Sequence, residues 1–195
     1  MGKTRLEAFS DGVLAIIITI MVLEMKVPHS DTLEELKKLL PVFISYILSF
    51  VYIGIYWNNH HHLMHVTHKI NGKIMWANSH LLFWLSLMPF ASGWMGENHF
   101  TTLPTALFGV ILLMAGVAYY ILTQCLIKLH GKDSTLAKAV GNDAKGIISV
   151  IVYAFGIGLA FFNAWISFAL YSMIAILWLV PDKRIEKKLV EEEKK

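Results

Sequence analysis

The sequence predicts an all-α polytopic membrane protein built as a bundle of six transmembrane helices. Three observations carry that prediction. Of the 195 residues, 56% are hydrophobic and only 16% are charged, where soluble domains hold about a quarter of their residues as charged side chains. The apolar residues gather in stretches near the roughly 20 residues that cross a hydrocarbon core of about 30 Å, and short polar breaks separate them. The lysines and arginines alternate between connections as they should if both termini lie on one side. Lys3, Arg5, Lys69, Lys73, Lys128, Lys132, Lys138, Lys145 and the six basic residues after Asp182 make fourteen on that side, against Lys26, Lys37 and Lys38 on the other. The positive-inside rule places the richer side in the cytoplasm. The spans are expected at about 5–25, 41–62, 74–93, 103–127, 144–162 and 164–180, within a transmembrane domain of residues 1–181, with a charged cytoplasmic tail at 182–195.

The first helix has an uncharged part, Gly12 to Leu23, of only twelve residues, or about 18 Å at 1.5 Å per residue. It must extend towards the N-terminus to span. Glu24, Lys26 and Pro28 follow it where a small-residue cleavage site would stand in a signal peptide, so the stretch is expected to be retained as a helix. Next, Thr32 and Glu35 fit a capping box, with leucines at 33, 36, 39 and 40, which reads as a short amphipathic helix at the membrane surface. Pro41 suits the first turn of the second span, which ends in Trp57 and a histidine cluster. The third span carries Trp76, Asn78 and His80, with Pro89 towards its end. Asn163 marks a tight turn between the last two spans, and Pro181 stops the sixth. Gly156, Ala160 and Ala164, at four-residue spacing, permit close helix approach. The single Cys125 lies in an apolar run and reads as a small core residue, without redox chemistry.

Extending the first helix brings Arg5, Glu7, Ser10 and Asp11 to the inner membrane boundary, where charged groups face protein or water. Arg5 and Asp11 stand about 240° apart around the helix and do not pair well with each other. Partners should come from Trp57, Asn58, Asn59 and His60 to His62 of the second span and from Trp76, Asn78 and His80 of the third. The prediction is a buried polar network joining the first three spans, with Arg5 and Asp11 at its centre. His61, His65 and His68 share a helix face at metal-ligand spacing, yet no carboxylates or cysteines accompany them. We read them as interfacial; imidazole titrates near neutral pH, which leaves a proton-relay role open. Ile16, Thr19 and Leu23 fall within about 60° of one another, with Gly12 inside that arc and Ile20 about 40° beyond it. Periodicity does not decide whether this stripe faces lipid or a pore.

The segment Arg5-Leu6-Glu7-Ala8-Phe9-Ser10-Asp11 resembles the R-x-x-x-F-S-D signature of the transmembrane protein 175 family, the endolysosomal potassium channels and their bacterial homologues. Trp57-Asn58-Asn59-His60-His61, Trp76-Ala77-Asn78 and Leu87-Met88-Pro89-Phe90 agree with it. The motifs cover roughly the first half of the chain. The resemblance implies a six-helix subunit whose first helix lines a central pore, without a T-V-G-Y-G filter. It also implies a tetramer of single bundles in the plasma membrane of a prokaryote. It places the pore constriction at Ile16, followed by Thr19, Ile20 and Leu23, and the structural polar network at Arg5, Phe9, Ser10, Asp11, Trp57, His60 or His61, and Asn78. Glu24 at the outer end is either a cation attractor or an ordinary headgroup-level charge.

The expected function is therefore a potassium-favouring cation channel. Its expected partners are copies of itself, the lipid bilayer, potassium and other monovalent cations. No enzymatic activity, cofactor, metal or nucleic acid is expected. The alternative is a proton-coupled secondary transporter or a proton-conducting channel using Asp11 and the histidines of the second span.

Overall fold

The computed structural model describes residues 2–131, 133–141 and 143–179, with the backbone alone at Thr135 and Ala139. The predicted tail at 182–195 lies outside the described residues. The described chain is helical: α1 Lys3–Leu23, α2 Leu33–Lys38, α3 Leu40–His65, α4 Gly72–Ser86, α5 Met88–Glu97, α6 Thr102–His130, α7 Thr135–Val140, α8 Ala144–Leu159 and α9 Ala164–Leu179. Three of these, α1, α3 and α6, are long and apolar enough to cross a membrane on their own; α8 and α9 are apolar but have 16 residues each.

Local chemistry sets most boundaries. Thr32 caps α2 by accepting the Glu35 N–H, and Pro41 sits in the first turn of α3. Asn71 and Asp143 cap α4 and α8 through their side-chain oxygens. Gly131, with φ of 91°, closes α6 in a conformation that costs an L side chain dearly. The Asn163 side chain accepts the Trp165 N–H at 3.0 Å and turns the chain between α8 and α9.

The third span differs from the continuous helix expected at 74–93. It breaks at Leu87 into α4 and α5. Proline has no N–H to return to residue 85 and its ring crowds that carbonyl, so Pro89 starts a new helix while the Leu87 N–H bonds back to Trp84.

Within a continuous, mostly aliphatic core that reaches from α1 to α9, an aromatic cluster is shared by α3, α6, α8 and α9. Tyr52, Phe108 and Tyr171 are fully enclosed, and Tyr153 joins them. Gly156, read above as a site of close helix approach, serves as half of a slot for a ring: a Cβ there would lie 2.5 Å from Tyr171 Cε1, and one at Gly109 would lie 2.0 Å from Tyr171 Oη. At the opposite end of α5, His99 and Phe100 adopt left-handed backbone conformations (φ of 49° and 58°). The buried Phe100 ring holds that turn in place, 4.8 Å from Trp165 and 4.6 Å from Phe168.

Candidate pore helix and its anchor

At 21 residues, α1 is about 31 Å long and spans a bilayer core once its charged N-terminal turns are included. It presents two faces. Leu6, Ser10, Leu14, Ile17 and Met21 are buried at helical spacing and pack on α3, α4 and α5. Ile16, Thr19, Ile20 and Leu23 lie on the other side, with Ile16 60% and Leu23 75% exposed. The Thr19 hydroxyl donates to the Ala15 carbonyl at 2.9 Å, which satisfies its proton within the helix and leaves its oxygen lone pairs outward.

The buried face is anchored by a chain of directed hydrogen bonds. The Asn78 amide nitrogen donates to Ser10 Oγ at 2.9 Å, and Ser10 Oγ donates to the Leu6 carbonyl at 2.9 Å. With Asn78 Oδ1 as the acceptor, His60 Nε2 carries the proton on the 2.8 Å bond between them. All three side chains are buried, so each bond is worth more than its surface equivalent and each broken one strands a polar group. Asp11 lies at the exposed edge, where its Oδ1 accepts the Trp57 indole N–H at 3.1 Å. The His61 ring stacks on Trp57 at 6.2 Å and 25°. Adjacent histidines thus do different things, His60 bonding inward to α4 and His61 backing the tryptophan.

Two residues of the expected network stand apart from it. Phe9 is exposed, and the exposed Arg5 guanidinium makes no ion pair or hydrogen bond with another described residue. The centre expected at Arg5 and Asp11 is instead Ser10, Asn78 and His60. Arg5 stands about 140° around the helix from Ser10 and so points away from α4 when Ser10 points in.

The break at Pro89 swings α5 beside α1 and leaves a groove of about 480 Å³ whose walls include Ile16, Ile20, Glu24, Phe90 and Glu97. Glu97 escaped sequence reasoning, as did its 2.8 Å ion pair with Lys26; that pair pulls the segment after α1 onto the end of α5. Hydrogen bonding to Glu97, and then its charge, raise the Lys26 pKa above the ordinary lysine value. A proline four residues after a helical carbonyl was the available signal for a break, but the partner it brings to α1 is a tertiary fact. Among the described residues, no three histidine, cysteine, aspartate or glutamate side chains gather as a metal site.

These features define a helical membrane protein in which one anchored helix leaves an apolar stripe uncovered. The fold is similar to the crystal structure of a lysosomal potassium-selective channel TMEM175 homolog from Chamaesiphon minutus, with a TM-score of 0.77 and 25% identity over 91% of this chain and 96% of that one. Residues 5–89, which hold the entire anchor, match the family described as endosomal/lysosomal potassium channel TMEM175. The chain is 54% identical to a potassium channel of Chryseobacterium sp. (strain P1-3) over 98% of its own length and all of the relative's. It is 27% identical to a potassium channel of Streptomyces collinus over 89% and 90% of the two chains. The chain belongs to the TMEM175 family.

Proposed function

We propose that this protein is a potassium-favouring cation channel whose pore is lined by α1 from four copies of the chain. The observation that carries the proposal is the division of α1: the face bearing Leu6, Ser10, Leu14, Ile17 and Met21 is consumed by the bundle, while Ile16, Thr19, Ile20 and Leu23 stay uncovered in the subunit. One such helix cannot enclose a path, so closed rotational symmetry must supply the other walls. Four isoleucines at Ile16 form an apolar constriction that dewets and sieves by size. Cation preference comes from the carboxylate of Glu24 at the outer mouth of the groove and from Thr19 oxygens along it. Arg5, exposed at the inner membrane boundary, finds its counter-charge on a neighbouring subunit, because an unpaired guanidinium there is expensive. Both termini are cytoplasmic, in the plasma membrane, and the activity is conduction without catalysis.

The proton-relay reading has less support. The buried chain from His60 ends on the Leu6 backbone carbonyl and passes through the Asn78 amide, and neither group hands a proton onward at ordinary pH.

Planar-bilayer recordings of the purified channel test the proposal. Single-channel steps should reverse near the potassium equilibrium potential in opposed potassium and sodium gradients. Saturable, step-free flux, or a reversal that follows protons, would overturn it. For the assembly, Arg5→Ala should shift native mass spectra from tetramer towards smaller species while leaving the helical content of the subunit unchanged.

A further inference from the structure

On the opposite side of the bundle from α1, the cytoplasmic halves of α3, α6 and α8 stand apart and enclose a cavity of about 470 Å³. That is the size of a pocket for a small organic molecule. The walls are aliphatic and aromatic, and most of the wall phenols are already spoken for. At the floor, the Tyr153 hydroxyl donates to the Tyr52 hydroxyl at 3.2 Å, and Tyr52 donates to the Tyr171 carbonyl at 2.6 Å. Tyr119 donates to the Asn59 carbonyl at 3.1 Å, and its ring meets Tyr56 edge to face at 6.2 Å. The Trp178 N–H donates to Ser149 at 2.8 Å, which fixes the indole in the wall. With these donors occupied, what the wall has left to offer a guest is mainly apolar surface and the electron-rich faces of aromatic rings.

The mouth adds a carboxylate. Among the described lining residues Asp143 alone bears an acidic or basic side chain, and it caps α8 by accepting the Gly146 N–H at 2.9 Å through one oxygen. Aromatic faces closed by a carboxylate recognise organic ammonium ions. The protein shows the same preference with its own side chain: the Lys145 ammonium lies 5.8 Å above the Trp178 ring on the rim.

We propose that this cavity is a binding site for an amphipathic organic ammonium ion, its apolar body among the tyrosines and its cationic head between the aromatic rings and Asp143. The site is separate from the α1 face, and its existence does not depend on the conduction assigned above. An occupant would bear on that function through α3, because Asn59 in the cavity wall immediately precedes His60 of the α1 anchor.

The test uses the full-length protein in nanodiscs of zwitterionic phosphatidylcholine, titrated calorimetrically with decyltrimethylammonium, decanol and decanoate. These probes share a chain and differ in head charge. Saturable binding is expected, with the ammonium tighter by about tenfold than the alcohol and decanoate the weakest. Asp143→Asn keeps an N-cap residue of equal quality, so it should fold normally and lose that preference. Gly116→Leu should abolish saturable binding of every probe, since a Cβ at Gly116 meets only Val150 at 3.5 Å and Tyr56 Oη at 3.9 Å and the longer side chain fills the space beyond. Val150→Phe fills the same volume from the facing helix if the first filler does not fold. Equal affinity for alcohol and ammonium, tighter binding of decanoate, or a preference that survives Asp143→Asn would each overturn the proposal.

Discussion

His60 and His61 are neighbours in the sequence, and their fates show how a single helical step of about 100° separates structural from peripheral roles. His60 is enclosed between α3 and α4, where its proton has one acceptor, Asn78 Oδ1. Asn78→Leu therefore strands the His60 N–H, while Ser10 Oγ loses its donor but keeps its bond to the Leu6 carbonyl, and the variant should lose about 1–3 kcal/mol, chiefly for the unpaired imidazole. His61→Ala removes exposed ring contacts with Trp57, His62 and His65 and should cost less than about 1 kcal/mol. Thermal unfolding in detergent with a helical circular-dichroism signal separates the two; equal losses would reject the division of labour. From sequence Ser10 and Asn78 were named, the choice between His60 and His61 stayed open, and Arg5 and Asp11 were put at the centre. Spacing gives the angle between Arg5 and Ser10, whereas which of them faces α4 depends on how α1 is rotated in the bundle. That rotation is set by Leu6, Leu14, Ile17 and Met21 together.

At the level of elements, helix boundaries were legible where the chemistry that sets them acts locally: Thr32 capping α2, Pro41 in the first turn of α3, Asn163 between α8 and α9. What was not legible came from pairs of elements. Gly156 at four-residue spacing from Ala160 announced a close approach, but its neighbour there is the Tyr171 ring on α9, wedged between Gly156 on one side and Gly109 of α6 on the other. Nothing local links residues 109, 156 and 171. The slot makes an asymmetric prediction. Gly109→Ala and Gly156→Ala should each destabilise by about 1–3 kcal/mol through overpacking. Tyr171→Phe should be nearly neutral alone, since the hydroxyl it removes is buried without a hydrogen-bond partner. Combined with Gly109→Ala it should recover part of the loss, because the nearest atom to that new Cβ is Oη at 2.0 Å. It should recover none of the Gly156→Ala loss, where the nearest atom is the ring carbon Cε1 at 2.5 Å. Unfolding free energies from the double-mutant cycles would read the coupling directly.

Across the whole molecule, the anchor and the uncovered stripe are one device. In the proposed channel α1 has to hold its rotation while one side of it meets water and ions, and the hydrogen bonds and the packed leucines on its inward side would supply that restraint. Two adjacent residues expose the logic. Ile16 is 60% exposed and Ile17 is 3% exposed, so the same substitution should have opposite signatures at the two positions. Ile16→Asn replaces the proposed dewetting group on the uncovered face; it should leave the melting temperature within a few degrees of the parent while raising leak and weakening the preference for potassium over sodium in bilayer recordings. Ile17→Asn buries an amide without partners, costs several kcal/mol, and should lower stability or yield before any change in selectivity can be measured. If Ile16→Asn instead left conduction untouched and altered only stability, the uncovered face of α1 would be a lipid or packing surface, and the pore would have to be sought along α3 or α5.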